Sequence, residues 1–123
     1  MGKLTPKMEG YLETIYEICL REGSARVTDI SVKMGVSKAT TNRAVLLLSE
    51  MGLTLYQKYQ TVMLTDNGSK LAKHICSRHE TIQTFMTGIL KMDPVISNED
   101  ACAIEHIISD DAIRAMKKYL KNK

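Results

Sequence analysis

Apolar side chains recur every three to four residues early in the chain. Leu12, Ile15, Cys19 and Leu20 fall on one face and the pattern stops at Gly23. Thr5-Pro6 supplies an N-cap and an N1 proline, so the spacing predicts a first helix from about residue 6 to about 21. A short linker, Ser24 to Val27, leads to Thr28 as the next cap. A second, short helix is expected over Asp29 to Met34, burying Ile30 and ending at Gly35, where a left-handed C-cap suits glycine. Ser37 then caps a third helix, Lys38 to about Met51, with Ala44, Val45 and Leu48 inward and Gly52 at its end.

From Leu53 to Leu64 (LTLYQKYQTVML) the period changes. β-Branched and aromatic residues flank polar Gln57, Lys58 and Gln60, which reads as a hairpin with a charged tip. Thr65 or Asp66 caps a long fourth helix that runs through Leu71, Ile75, His79, Ile82 and Phe85 to about Leu90, with room for a kink. Lys91-Met92-Asp93-Pro94 is read as its break, because proline lacks the amide hydrogen a helix needs. A fifth helix is expected near Asp100 to Ile108, and Ser109-Asp110 caps a sixth over Asp111 to Leu120. The basic end, Lys117 to Lys123, is expected to fray. No internal repeat is present.

Short helix, glycine turn, Ser-capped helix and two-stranded wing make a winged helix-turn-helix. The expected fold is mostly α, with this module over residues 1–72 and an α-helical dimerisation domain over 73–123. A B-DNA major groove admits one helix, whose first residues face the base edges. That first turn and a half carries Ser37, Lys38, Ala39, Thr40, Thr41, Asn42 and Arg43. Arg43 suits guanine and Asn42 adenine in bidentate fashion, while Ser37 and Thr40 suit phosphates. Lys58, beside Tyr56 and Tyr59, is placed to reach backbone or minor groove. A polar helix face is ordinary by itself; the ordered set of elements gives the DNA-binding reading its weight.

Composition adds limits. The 123 residues are 44% hydrophobic and 25% charged, with a formal net charge of +3. That charge permits nucleic-acid binding without requiring it. Cys19, Cys76 and Cys102 are an odd, scattered set, which fits a reducing compartment better than a disulfide framework. No apolar run reaches the roughly 18 residues of a membrane helix. The opening Met1 to Lys7 has no signal core, and Pro6 stands where a myristoylation motif after Gly2 needs Ser or Thr. A cytoplasmic protein with no membrane partner is expected.

Cys102, Glu105, His106 and Ser109 sit at i, i+3, i+4 and i+7 and are expected on one helix face. Ala101, Ile104 and Ile108 are expected on another, against a partner subunit. Thiol, carboxylate and imidazole within one turn suit a transition metal, with His79 and Glu13 as candidates to complete the set. A partly buried polar seam is the plainer reading of the same spacing. An enzyme nucleophile and base is a further one, disfavoured because no Gly-rich oxyanion loop lies near. No organic cofactor is indicated.

These segments resemble the diphtheria toxin repressor family of iron- and manganese-dependent regulators, including its short manganese transport regulators. The resemblance rests on Met8 to Tyr16, the Ser37 helix, Leu64-Thr65-x-x-Gly68, Arg78-His79-Glu80 and Asp100 to Ser109. It implies a homodimeric repressor of a palindromic operator that senses a divalent metal. In the iron branch, the positions of Cys102, Glu105 and His106 hold the regulatory ion and that of His79 holds a second. In the manganese branch, the positions of Glu13, His79, Glu105 and His106 are ligands, with Glu where Cys102 stands. The present set is therefore a hybrid, and its soft thiol favours Fe(II) over Mn(II).

Three positions depart from the family pattern. Gly10 stands where the family has a first-helix Met or Asp ligand, and Gln83 and Asn98 occupy positions that supply second-site ligands in the iron branch. Gly10 keeps open a regulator that has lost metal control and needs no ion. The long members' extra C-terminal SH3-like domain is not expected in a chain of this length. The resemblance further implies a switch: an ion joining Glu13, His79 and the Cys102–His106 segment would set the spacing at which two recognition helices enter grooves about 34 Å apart.

Overall fold

The computed structural model describes residues 4–122, with Lys58 represented by its backbone alone. Gly2 and Lys123 lie outside the described residues. The chain divides into two compact units, Met1–Lys73 and His74–Lys123.

In the first unit, α1 spans Pro6–Glu22, with Thr5 accepting from the Met8 amide as N-cap. Tyr11, Leu12, Ile15 and Ile18 are its buried face. Leu20, expected inside, is 70% exposed; the buried stripe includes Tyr11 and Ile18 instead. A two-residue strand, β1 (Ala25–Arg26), occupies the segment expected to be linker. It pairs antiparallel with a later strand, Ala25 opposite Val62. Helix α2, Val27–Met34, starts two residues earlier than expected, with Arg26 rather than Thr28 as N-cap. Extended Arg26 belongs to β1, so the turn into the helix has no room for a separate cap. Gly35 closes α2 in the left-handed region (φ 70°), where a side chain is strained.

Helix α3 spans Lys38–Glu50 and is capped by Ser37, whose Oγ accepts from the Thr40 amide at 3.1 Å. It buries Thr41, Ala44, Val45 and Leu48. The wing follows as β2 (Thr54–Gln57) and β3 (Thr61–Leu64), in a sheet of order β1-β3-β2. Gln57 pairs with Thr61, leaving Lys58–Gln60 as the turn.

Helix α4 spans Asp66–Thr84. Thr65 fixes its start: its hydroxyl accepts from the Gly68 amide (3.0 Å) and donates to the Gly52 carbonyl (2.6 Å). The end of α4 widens into a π-helical turn over Phe85–Ile89, the physical form of the expected kink.

In the second unit, α5 spans Pro94–Ile104, beginning about six residues before the expected Asp100. Residues 91–93 are the expected break after the fourth helix, and Asp93-Pro94 also starts the fifth. The Asp93 carboxylate accepts from the Val95 and Ile96 amides, and Pro94 occupies N1, where a missing amide costs nothing. The helix also stops early, at Ile104, with Glu105 as C-cap. Ser109 is therefore not on the same helix face as Cys102. It is extended, and caps α6, Asp110–Lys121, by accepting from the Ala112 amide. The basic end stays helical through Lys121 rather than fraying.

Ala101, expected at a partner surface, is buried inside this unit with Ile82 and Ile113. Met86, Ile104, Ile108 and Met116 pack around that core. Ala101 is the small residue that lets α5 approach Ile82 and Ile113. The face assigned to dimerisation is thus directed largely inward.

The tightest backbone approach identifies one indispensable glycine. A Cβ on Gly68 would lie 2.0 Å from the Leu53 carbonyl oxygen, whereas one on Gly88 meets nothing within 4 Å. Gly68→Ala should destabilise the fold by about 1–3 kcal/mol, the usual cost of forcing packed backbone apart. Gly88→Ala should be neutral or slightly stabilising by helix propensity. Thermal melts of the two variants check this; equal midpoints would contradict the packing of Gly68 on Leu53.

Candidate functional site

The residues expected to contact DNA lie mostly on α3 and its N-cap. Ser37, Lys38, Ala39 and Arg43 are exposed, Thr40 and Asn42 are half-buried, and Thr41 is buried. Thr41 is removed from the exposed surface, since it is fully buried and its hydroxyl donates to the Ser37 carbonyl. Ser37 is engaged twice, as cap and as donor to the Thr40 hydroxyl, so its expected phosphate contact must share those bonds. The Lys58 side chain lies outside the described atoms, and its expected reach to DNA rests on its place in the wing turn.

The pattern missed Tyr56. Its hydroxyl donates to Asn42 Oδ1 at 2.5 Å, tying the wing to the recognition helix. One lone pair of that oxygen is occupied, while the Asn42 amide nitrogen remains a donor. Desolvation pushes the Tyr56 phenol above its usual pKa. The sequence placed Tyr56 beside Lys58 near the wing tip, but only the folded hairpin brings its hydroxyl to Asn42 on α3.

In the second unit the polar residues converge around one carboxylate. Glu105 is 1% exposed. Its Oε1 lies 3.4 Å from His79 Nδ1 and 3.6 Å from His106 Nε2. Cys102 Sγ is 3.7 Å from His79 Nδ1. One ligand atom from each of His79, Cys102 and Glu105 falls within 4.8 Å of the others. Tetrahedral ligands at 2.0–2.3 Å from an ion stand roughly 3.3–3.8 Å apart, so these donors fit a transition ion with small adjustment. A thiol, an imidazole and a carboxylate are also the donor types that such an ion takes.

Arg78 holds the segment that carries two of these donors. Its Nε donates to the Glu105 carbonyl at 2.9 Å, Nη1 to Asp110 at 2.5 Å, and Nη2 to the Ile108 carbonyl. The guanidinium thus satisfies carbonyls that the end of α5 leaves open. His79 is fixed on its far side, with Nε2 2.9 Å from Asn98 Oδ1. Arg78 was read only as part of the family resemblance, and Asn98 only as a departure at a second-site ligand position. Asn98 precedes Cys102 by four residues, a legible spacing once α5 is known to begin at Pro94. Glu13, the remaining expected ligand, is a half-buried residue of α1 in the first unit. Gly10, on the same helix, has Met34 Cε 3.5 Å from where a Cβ would stand, so the position accepts a side chain.

Residues 3–62 match the iron dependent repressor N-terminal DNA binding domain, and residues 65–123 match the iron dependent repressor metal binding and dimerisation domain. The chain belongs to the iron dependent repressor family. It is 38% identical to the HTH-type transcriptional regulator MntR of Shouchella clausii (strain KSM-K16) over 109 residues, 89% of this chain and 76% of that protein. It is 33% identical over the same length to MntR of Listeria monocytogenes serotype 4a (strain HCC23), again covering 89% and 76%. Among solved structures it resembles that of the manganese regulator SloR, with 30% identity and a TM-score of 0.81. The match covers 98% of this chain and 56% of SloR, so the chain spans little more than half of that structure. These matches bear out the resemblance read from the sequence, including the winged helix followed by a helical metal-binding and dimerisation module. Members are transcriptional regulators, and no helix of the described residues is long and apolar enough to cross a membrane.

Two of the thiols differ sharply in setting. Cys102 is exposed, whereas Cys19 is half-buried, donates to the Val62 carbonyl at 3.7 Å, and has its pKa raised by desolvation. A raised pKa lowers the thiolate fraction at neutral pH, and the thiolate is the reactive form. Pulsed alkylation near pH 8, read by peptide mass spectrometry, should label Cys102 well before Cys19. Equal rates would contradict the settings described.

Proposed function

We propose that this chain is a cytoplasmic, metal-responsive repressor that binds a palindromic operator as a homodimer, and that it is not an enzyme. The ligands are His79, Cys102, Glu105 and His106, with Glu13 added by resemblance to the family. The observation that carries the reading is the buried Glu105 carboxylate, set between two imidazoles with a thiol beside one of them. A divalent ion bound there would supply the positive charge that this group of donors gathers around. Homodimerisation is supported by the dimerisation domain that residues 65–123 match. Two-fold symmetry in turn calls for a palindromic site.

Fe(II) is proposed ahead of Mn(II) because thiolate is a soft ligand and manganese prefers oxygen and imidazole. Two proteins of similar structure are described with manganese, the manganese regulator SloR and a manganese-dependent transcriptional repressor in complex with manganese. The preference for iron therefore rests on Cys102. On the DNA side, Ser37, Lys38, Ala39, Thr40, Asn42, Arg43 and Lys58 form the proposed contact set, with Arg43 the exposed guanidinium suited to guanine.

Two measurements test this reading. Operator binding with and without Mn(II), Fe(II), Co(II) and Zn(II) should show metal stimulation in the parent. His106→Ala and Cys102→Ala should lose most of it with the fold intact, and Glu13→Gln decides whether the first-helix carboxylate belongs to the set. Metal-independent repression by the parent would instead support a regulator without metal control. Separately, Arg43→Ala should cost about 1–3 kcal/mol at the preferred operator and relax base choice. Lys58→Ala should weaken all sequences alike and reduce the salt slope. An Arg43→Ala variant with parental affinity and selectivity would displace α3 as the reading helix.

A further inference from the structure

We propose that Asn98 is a positioning residue for metal capture: it accepts the Nε2 proton of His79 and so presents the Nδ1 lone pair to Cys102 and Glu105. The inference rests on the metal-binding reading above and adds a residue that donates nothing to the ion itself.

The geometry is one-sided. His79 Nε2 lies 2.9 Å from Asn98 Oδ1, while Nδ1 lies 3.4 Å from Glu105 Oε1 and 3.7 Å from Cys102 Sγ. A neutral imidazole carries one proton, and whichever nitrogen keeps it cannot bind an ion. Protonated at Nε2 toward an amide oxygen, the ring faces the thiol and the carboxylate with its lone pair. Protonated at Nδ1, it would instead donate to Glu105 and close the cluster against an ion. The partner of the far nitrogen therefore sets whether the site is open.

Asn98 is well placed for this. It lies on α5 four residues before Cys102 and seven before the C-cap Glu105, so one helix and its cap carry the ring's partner and two of the proposed donors. Metal-bound histidines generally donate their other N–H to a carbonyl or carboxylate, and loss of that partner typically costs about 10–100-fold in metal affinity. An amide oxygen fixes the tautomer without bringing a further negative charge to the site. The reverse amide orientation, with Asn98 Nδ2 donating to Nε2, would put the ring proton on Nδ1 and is the arrangement the test must distinguish.

Zn(II), a diamagnetic probe, serves for the experiment on the full chain. Long-range ¹H–¹⁵N spectra of the Zn(II)-loaded parent should show His79 protonated at Nε2 and coordinated through Nδ1. Asn98→Leu should lower Zn(II) affinity by about 10–100-fold in calorimetry, with an unchanged thermal midpoint in the metal-free state. Asn98→Asp, which accepts the same proton, should restore affinity to the parental level or above. Coordination of His79 through Nε2, or an Asn98→Leu variant with parental Zn(II) affinity, would overturn the role of Asn98 while leaving the metal site standing. A parent that takes up no Zn(II) would remove the metal reading and this inference together.

Discussion

Burial of the Glu105 carboxylate is the constraint on which the second unit turns. A carboxylate taken out of water carries a penalty of several kcal/mol unless hydrogen bonds and opposite charge offset it. His106 can meet part of that demand, and an ion bound among the proposed ligands would meet the rest. His79 reaches it from α4, and His106 follows it immediately. Arg78 secures the backbone at the same residue, so the side chain and its carbonyl are held by adjacent residues of one helix. Ending α5 at Ile104 is what allows this. With the helix stopped, the carbonyls of Glu105 and Ile108 become available to the guanidinium, and Ser109 is released to start α6.

The first unit solves a different problem, that of holding polar side chains exposed on a rigid support. Ser37 caps α3 and fixes its first turn, Thr41 is locked inward, and Tyr56 pins Asn42 from the wing. A helix so held can present Arg43 and Lys38 to a groove with little further ordering. Gly68 and Thr65 join the end of the wing to the start of α4, where any side chain at position 68 would meet the Leu53 carbonyl. The DNA-reading surface is therefore supported by caps and close backbone contacts more than by its own propensity.

Most of this was legible from the chain. Caps at Thr5, Ser37 and Ser109, the glycine stops and the change of period at Leu53 located α1, α3, α6 and the wing. The donors His79, Cys102, Glu105 and His106 were legible as residue types at helical spacing and from family resemblance. The errors share a physical cause. Asp93-Pro94 satisfies two rules, a helix break and an N-cap with N1 proline, and both apply. Reading it as a break alone moved α5 toward the C-terminus and put Ser109 on the ligand face and Ala101 at a partner surface. β1 escaped notice because two residues carry no period; it exists through pairing with β3. Arg78, Asn98 and Tyr56 act across distances of 14 to 32 residues, and no local pattern encodes such partners.

The proposed metal centre joins Cys102, Glu105 and the two histidines on one ion. X-ray absorption at the zinc edge of the Zn(II)-loaded full chain tests it. One sulfur scatterer is expected at about 2.3 Å together with nitrogen or oxygen at about 2.0–2.2 Å, with loss of the sulfur shell in Cys102→Ala. A shell of nitrogen and oxygen alone in the parent would contradict it.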